Sequence, residues 1–293
     1  MIRQAARKAI DRLAEALTRR QRELEKTSPG TRIALRSLYT SYRRAALGGA
    51  ALPSARETGF RVFSQFDEDG VTLFLLGAAG IGPAKFVEIG GGDGVWASNC
   101  ANLALNLGFH GLFLDADAGA VERGRRFYRS HPDTSLYPPV FAEARVTREN
   151  VNPVLRQAGF EGEIDLLSID IDGNDYWIWE AIECISPRIV VIETHVELGT
   201  QSLVVPYEAS FQVRPESPHH LGASPEAMTR LARRLGYRLV GANRFGFNAF
   251  YLREDLARGL VPAIEVSELF RHDRNRERVR IFEEIRHLPF ETV

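Results

Sequence analysis

The sequence predicts an α/β protein: a seven-stranded, mostly parallel sheet with a reversed last strand, preceded by N-terminal helices. Three observations carry this. Between residues 86 and 193, short apolar runs alternate with helix-compatible runs, the signature of repeated βα units with helices on both faces of a parallel sheet. The first apolar run, Phe86 to Ile89, breaks in Gly90-Gly-Gly-Asp-Gly94, a glycine-rich βα turn. Near the end, Tyr237–Gly241 and Phe247–Leu252 flank a short polar turn around Asn243-Arg-Phe-Gly246, which reads as a hairpin and turns the last strand antiparallel.

The elements follow in order. Ile2, Ala5, Ala6, Ile10, Leu13, Ala16 and Leu17 recur at helical spacing and predict a helix over 2–25, and a second helix fits 31–46. Gly48-Gly-Ala-Ala-Leu-Pro53 reads as a linker, which sets a helical extension at 1–53, a main domain at 54–260 and a helical tail at 261–293. A helix from Gln65–Asp69 to Gly77 or Gly80 has acids in its first turn, as the helix dipole prefers. Strands are then expected at 86–89, 111–115, 137–142, 164–169 and 188–193, alternating with helices at 95–107, 118–130, 147–158 and 175–185. Residues 196–220 carry three prolines and no clear period, and a stretch of that length reads as a lid or substrate loop. A helix at 225–235 has Ser224 as N-cap, Pro225 at its first position and Gly236 as stop. The charged tail, 264–287, is expected to be helical and to pack through Leu269, Phe270, Val279, Phe282 and Ile285.

Charge is unevenly spread. Residues 1–48 carry 12 Lys/Arg against 4 Asp/Glu, a surplus of +8, whereas the remainder stands at −9. An acidic main domain argues against a nucleic-acid substrate. The basic N-terminal helices read either as an amphipathic pair packing on the domain or on a second subunit, or as a surface for anionic lipid or a partner enzyme. Cys100 and Cys184 form no C-x-x-C pair, so neither a disulfide framework nor a zinc knuckle is expected. No apolar run approaches eighteen residues, and charges interrupt any signal-like segment, so the expected setting is the cytoplasm.

Two nucleotide readings fit the glycine turn. Gly92-Asp-Gly94-Val-Trp-Ala97 matches the dinucleotide pattern G-x-G-x-x-A, and Asp115, about twenty residues on, stands where a ribose is caught. Glu88-Ile-Gly90-Gly-Gly92-Asp-Gly94 matches E-x-G-x-G-x-G, and here the chain resembles the class I S-adenosylmethionine (SAM) methyltransferases. With Ser64-Gln-Phe-Asp-Glu-Asp-Gly70, Ile164-Asp-Leu-Leu-Ser-Ile-Asp-Ile-Asp-Gly-Asn-Asp-Tyr176 and Gly241-Ala-Asn-Arg-Phe-Gly-Phe-Asn-Ala-Phe250, the likeness extends to the FkbM-type branch over roughly residues 60–255. The resemblance implies a Rossmann-like sheet of order 3-2-1-4-5-7-6. It implies a cofactor site at Gly90, Gly92 and Gly94, with Glu88 and Asp93 near the methionine amine and Asp115 on the ribose. Gln65, Asn99 and Asp170 join that set. Acceptors in this branch include sugar and natural-product hydroxyls, which places a glycan or a glycosylated metabolite first.

Chemistry is expected at the carboxyl edge of the sheet. One strand ends Asp170-Ile-Asp172 and the next Glu193-Thr-His195, and side chains two apart on a strand share a face. Three readings stand. Asp170, Asp172, Glu193 and His195 hold Mg²⁺ or Mn²⁺, which mostly oxygen ligands suit. Alternatively, His195 or Asp172 is a plain general base. Or several of these residues only cap helices and bond loops, Asp172 before the helix near Asn174 among them. His219 and His220 in the long loop, and Asn243, Arg244 and Asn248 at the hairpin turn, are the substrate-contact candidates. The leading expectation is SAM-dependent O-methylation. An NAD-dependent oxidoreductase and a non-catalytic scaffold working through the basic helices are the alternatives.

Overall fold

The structure, a computed structural model, describes residues 26–293. The helix expected over 2–25 lies outside the described residues. The first helix here, α1 (Pro29–Leu47), begins at Ser28, whose side chain accepts from the Thr31 N–H at 3.1 Å ahead of a proline in the first turn. One flank packs on α2 (Glu68–Ala79), where Tyr42 meets Phe74 edge-on at 5.3 Å. A Cβ on Gly77 would lie 2.6 Å from Tyr42 Cβ, so this close crossing depends on glycine.

The sheet then builds from β1 (Lys85–Ile89), β2 (His110–Asp115), α3 (Ala118–Ser130), β3 (Val140–Glu143), α4 (Val151–Gln157), β4 (Gly162–Ile169), α5 (Asp175–Ala181) and β5 (Ile185–Glu193). A short β6 (Leu203–Val204) precedes α6 (Pro225–Arg234), β7 (Tyr237–Ala242) and β8 (Asn248–Arg253). The seven strands of the main sheet run in the order β3-β2-β1-β4-β5-β8-β7. The pairs from β3 to β5 are parallel, and β8 is antiparallel to both β5 and β7. Since β7 and β8 are the sixth and seventh strands of this sheet, this is the expected 3-2-1-4-5-7-6 order with a reversed strand.

Side-chain alternation fills both faces. Val87, Leu112, Leu114, Val190 and Ile192 pack on one side, with α5 and α6. Phe86, Phe113, Ile189 and Val191 pack on the other, with α2. All five parallel strands end at one edge, and that is where a ligand meets the sheet.

Four elements depart from the sequence-based expectation. Residues 95–100 are not helical, and the helix expected at 95–107 is reduced to a short segment past Cys100 that includes the π-helical Leu103–Leu107. The cause is Glu88. Its carboxylate takes the Ser98 hydroxyl at 2.6 Å and the Asn99 and Cys100 N–H groups at 2.8 and 3.2 Å, while Ala97 is turned to φ +55°. Next, α5 stops at Ala181 because Asn152 Oδ1 captures the Glu183 and Cys184 N–H groups, which frees Ile185 to begin β5 early. The long loop is pinned rather than loose: β6 pairs with β9 (Glu291–Thr292), and Trp177 Nε1 donates to the Val205 carbonyl at 2.9 Å. Finally, the tail is a chain of short turns that includes α7 (Asp273–Arg278) and α8 (Phe282–Ile285), anchored by buried Leu269, Asn275 and Ile285.

Gly111 tests the sheet's packing away from the ligand edge. A Cβ there would fall 2.2 Å from the Phe86 ring. Gly111→Ala is expected to destabilise the protein by roughly 1–3 kcal/mol through overpacking. The readout is a lower urea midpoint with an unchanged m-value, and an unaltered midpoint would contradict the packing described.

Candidate functional site

The turn after β1 is fixed by a close backbone approach. Gly90 has φ +85°, and a Cβ there would sit 1.7 Å from the Asp170 carbonyl oxygen. The Gly90 and Gly91 N–H groups both donate to the Leu114 carbonyl, at 2.8 and 3.1 Å. Gly92 N–H donates to Asp115 Oδ2 at 2.7 Å, and Asp115 Oδ1 accepts from Asp117 N–H at 2.8 Å. Gly94 N–H closes on the Gly91 carbonyl, and Asp93 Oδ1 takes the Val95 and Trp96 N–H groups. With Glu88 holding residues 98–100, most amides of this loop are satisfied internally. The segment is therefore not an open cradle of donors for a phosphate.

Two cavities open at the carboxyl edge. The larger, about 440 Å³, is walled by Gly90, Asp115, Asp170 and Asp172 and roofed by Phe211 and Val213 from the long loop. The smaller, about 250 Å³, lies over the ends of β5 and β8 and is walled by Gln65, Glu193, His195, His219, Asn248 and Arg278. Asp170 lines both. Glu193 Oε2, His195 Nε2, Glu197 Oε2 and Asn248 Oδ1 are buried without a hydrogen-bond partner, and all four residues line the smaller cavity. Glu193 Oε2 and His195 Nε2 face each other, which leaves Glu197 Oε2 and Asn248 Oδ1 without a polar partner, and buried polar atoms are ordinarily paired.

Asp170, Asp172 and Glu193 each offer an oxygen within 4.8 Å of the others. His195 is not part of that group: its Nε2 stands 3.4 Å from Glu193 Oε2, an ion-pair distance without hydrogen-bond geometry. The crowding shows in proton affinity. Burial, reinforced by Glu193, Asp175 and Asp172, lifts Asp170 well above the carboxylate range. Burial and Glu193 raise Asp172 as well. Burial lifts Asp175 to about 6, although the Gly173 and Ile171 N–H groups donate to it. Burial disfavours the His195 imidazolium, but Glu193, followed by Glu197 and Asp175, outweighs this and raises it to about 9. His195 is thus held toward its protonated form. Asp172 holds φ +53°, a conformation that costs a non-glycine residue energy and that recurs at ligand sites.

Other expected residues take different places. Glu88 is buried beneath the loop rather than in the cavity, and Asp93 is a turn residue. Asn99 Nδ2 donates to Ser168 Oγ at 3.0 Å beneath the turn. Asn243 and Asn248 both donate to Glu68 Oε1, at 2.7 and 3.0 Å, and so tie the hairpin turn to the start of α2. Of the two histidines, His219 lines the smaller cavity, while His220 is buried against the tail with Nε2 2.9 Å from the Pro289 carbonyl. Arg244 lines a third recess. Glu197, Phe211 and Arg278 had no motif to announce them. Glu197 and Arg278 meet across 81 residues of sequence through a charged hydrogen bond of 2.9 Å.

No protein-family model matches the chain, and no curated protein matches it. Solved structures do. A SAM-bound magnesium protoporphyrin IX methyltransferase from Synechocystis PCC 6803 is similar at 13% identity and TM-score 0.38, over 64% of this chain and 77% of that one. A SAM-dependent methyltransferase from Aquifex aeolicus is similar at 12% identity and TM-score 0.37, over 62% and 88%. An O-methyltransferase family protein from Burkholderia thailandensis is similar at 12% identity and TM-score 0.36, over 64% and 59%.

Glu88 gives the site a measurable pH signature. Burial lifts its carboxyl from about 4.5 to about 7, against the pull of Ser98, Asn99 and Cys100. A carboxyl raised on folding stabilises the native state below its unfolded pKa, and that contribution is lost as pH rises through the folded value. Stability should therefore fall between about pH 4.5 and 7. Glu88→Gln is expected to flatten part of this slope in urea titrations at stepped pH, and an identical slope in the variant would show that Glu88 is ionised throughout.

Proposed function

We propose that the protein is a SAM-dependent O-methyltransferase, with SAM in the larger cavity and the acceptor hydroxyl in the smaller one. The observation that supports this best is the meeting of the two cavities at Asp170, at the carboxyl edge of a sheet with the 3-2-1-4-5-7-6 order. A cavity of about 440 Å³ is in the range that small ligands occupy. Asp115 stands at the end of β2 with the glycine turn fixed to it, where it receives the ribose hydroxyls. The methionine end then runs toward Asp170, and the sulfonium brings positive charge to a cluster of carboxylates.

Methyl transfer asks mainly for alignment of the methyl group with the acceptor oxygen and removal of one proton. Asp172 is the proposed base. His195, whose Nε2 faces Glu193 without a hydrogen bond, holds the acceptor oxygen by donating to it. The orphan acceptors of Glu193, Glu197 and Asn248, set among Pro218, Leu221 and Phe247, suit a hydroxyl-rich acceptor such as a sugar, a glycan or a glycosylated natural product. The three carboxylates also fit a hard divalent cation, Mg²⁺ or Mn²⁺, held by Asp170, Asp172 and Glu193. Bound there, the ion would polarise the acceptor hydroxyl and lower its pKa. The dinucleotide alternative lacks its phosphate seat, because Glu88 caps the segment whose free amides a pyrophosphate needs. Free Cys100 and Cys184 accord with a cytoplasmic setting. Among the described residues no helix is long and apolar enough to cross a membrane.

Calorimetric titration with SAM and separately with NADH, with and without EDTA, tests this reading. SAM should bind and NADH should not. Asp115→Ala should weaken SAM by about tenfold or more, equivalent to ~1.4 kcal/mol. NADH binding in place of SAM would overturn the class, and an unchanged SAM affinity in the variant would remove the ribose assignment. A loss of turnover on chelation would assign the carboxylates to a metal.

A further inference from the structure

A third recess, of about 140 Å³, lies between residues 54–56, the carboxyl end of β7 with its turn, and residues 264–272. Its wall carries Arg56, Arg244, Arg271 and His272, with Glu268 as its acidic member. Glu268 is bonded to Arg271. The guanidinium of Arg244 stands over the Phe245 ring at 5.0 Å, and its backbone N–H donates to Asp67 Oδ1 at 3.1 Å. Arg274 also faces that ring, at 6.0 Å, and His272 meets it edge-on at 5.4 Å. One phenylalanine thus gathers two guanidinium groups, while His272 accepts the Arg274 N–H at Nδ1 and meets the ring edge-on. Cation–π attraction holds cations at an aromatic face, but it adds no negative charge. Of the lining arginines, Arg271 is paired with Glu268, whereas Arg56 and Arg244 have no acidic partner among the described residues of the recess wall, and arginine's planar fork matches the oxygens of a phosphoryl group.

We propose that this recess binds a phosphoryl group. Its volume suits one tetrahedral oxyanion and excludes a whole nucleotide. The surroundings suggest what carries the group. Phe245 and Phe247 have ring centres 6.2 Å apart, and Arg278 stands over Phe247 at 5.1 Å. Phe247 and Arg278 line the smaller cavity, and Phe245 stands between Phe247 and the His272 and Arg244 side chains of the recess wall. A phosphorylated acceptor laid along these rings would keep its reactive hydroxyl in the chamber and its phosphate among the arginines. That use rests on the methyl-transfer reading, whereas the anion site itself does not.

The test is calorimetric titration of the full chain with inorganic phosphate and with glycerol 1-phosphate, beside sedimentation with phosphatidylglycerol-containing vesicles. Both soluble probes should bind, and the double variant Arg56→Gln/Arg244→Gln should weaken them at least tenfold with SAM affinity unchanged. Absence of phosphate binding, or binding that the double variant leaves intact, overturns the proposal. Glycerol 1-phosphate binding without vesicle sedimentation supports a soluble ester as the source. Sedimentation that the double variant abolishes supports the same chemistry supplied by a lipid headgroup. Phosphate binding in a protein that fails to bind SAM supports the anion site and overturns the methyl-transfer reading alone.

Discussion

The backbone contact between Gly90 and Asp170 is the constraint on which the ligand edge depends. β1 and β4 run parallel with Ile89 opposite Ile169, and at the next step the chains stand so close that only a hydrogen fits between them. Because Gly90 carries no Cβ, Asp170 can remain at the mouth of both cavities. The Leu114 carbonyl holds Gly90 and Gly91 from the other side, so the turn is clamped between its two neighbouring strands. Asp115 and Asp170 are positioned by the sheet itself, which is stiffer than any loop. Sites carried on strands in this way keep the geometry that group transfer needs.

Around that contact the protein concentrates negative charge to an unfavourable degree. Glu193 stands close enough to raise the proton affinity of Asp170, Asp172 and Asp175, and His195 beside it is held toward its protonated form as a compensating cation. Isolated charges are costly to bury, and pairs recover the cost only with good hydrogen bonds. Here several bonds are missing, as the orphaned oxygens of Glu193 and Glu197 show. Such an arrangement is strained without a partner and is relieved by one. Under the proposed function, a sulfonium on one side and hydroxyl donors on the other would supply what the cluster lacks, and a divalent cation would do so in part.

The sheet was legible in the sequence because each strand is a short apolar run whose alternation is a local property. Ser224 and Pro225 likewise announced α6, and the hairpin turn announced the reversed strand. The failures share a cause: the deciding contact is distant in sequence. Nothing near Trp96 indicates that Glu88 will take the Asn99 and Cys100 amides, which removes the first turns of the expected helix. The acid of the E-x-G-x-G-x-G motif was visible, but its partners were not. Asn243 does the turn chemistry its position suggests, its Oδ1 accepting from the Phe245 and Phe247 N–H groups, but Asn243 and Asn248 also bond Glu68 across 175 and 180 residues. Arg278 sits in a tail whose charges look like a solvated surface, and only the folded chain brings it to Glu197.

The long loop and the tail together build the outer wall of the smaller cavity. On its own, the loop from Val196 to His220 would pay a large entropic cost to lie over the sheet. It is pinned instead at several points. β6 pairs with β9, the Val205 carbonyl receives Trp177, and the Glu208 carbonyl receives Asn174 Nδ2 at 2.8 Å. The tail adds Arg278 to the wall and lays Pro289 and Phe290 over His220. Roof and wall therefore come from two segments that hold each other through a two-residue strand pair and a few side-chain bonds. A closure of that size is weak compared with the sheet beneath it, so stability is distributed unevenly around the cavity, with Asp170 and the glycine turn on its firmest side.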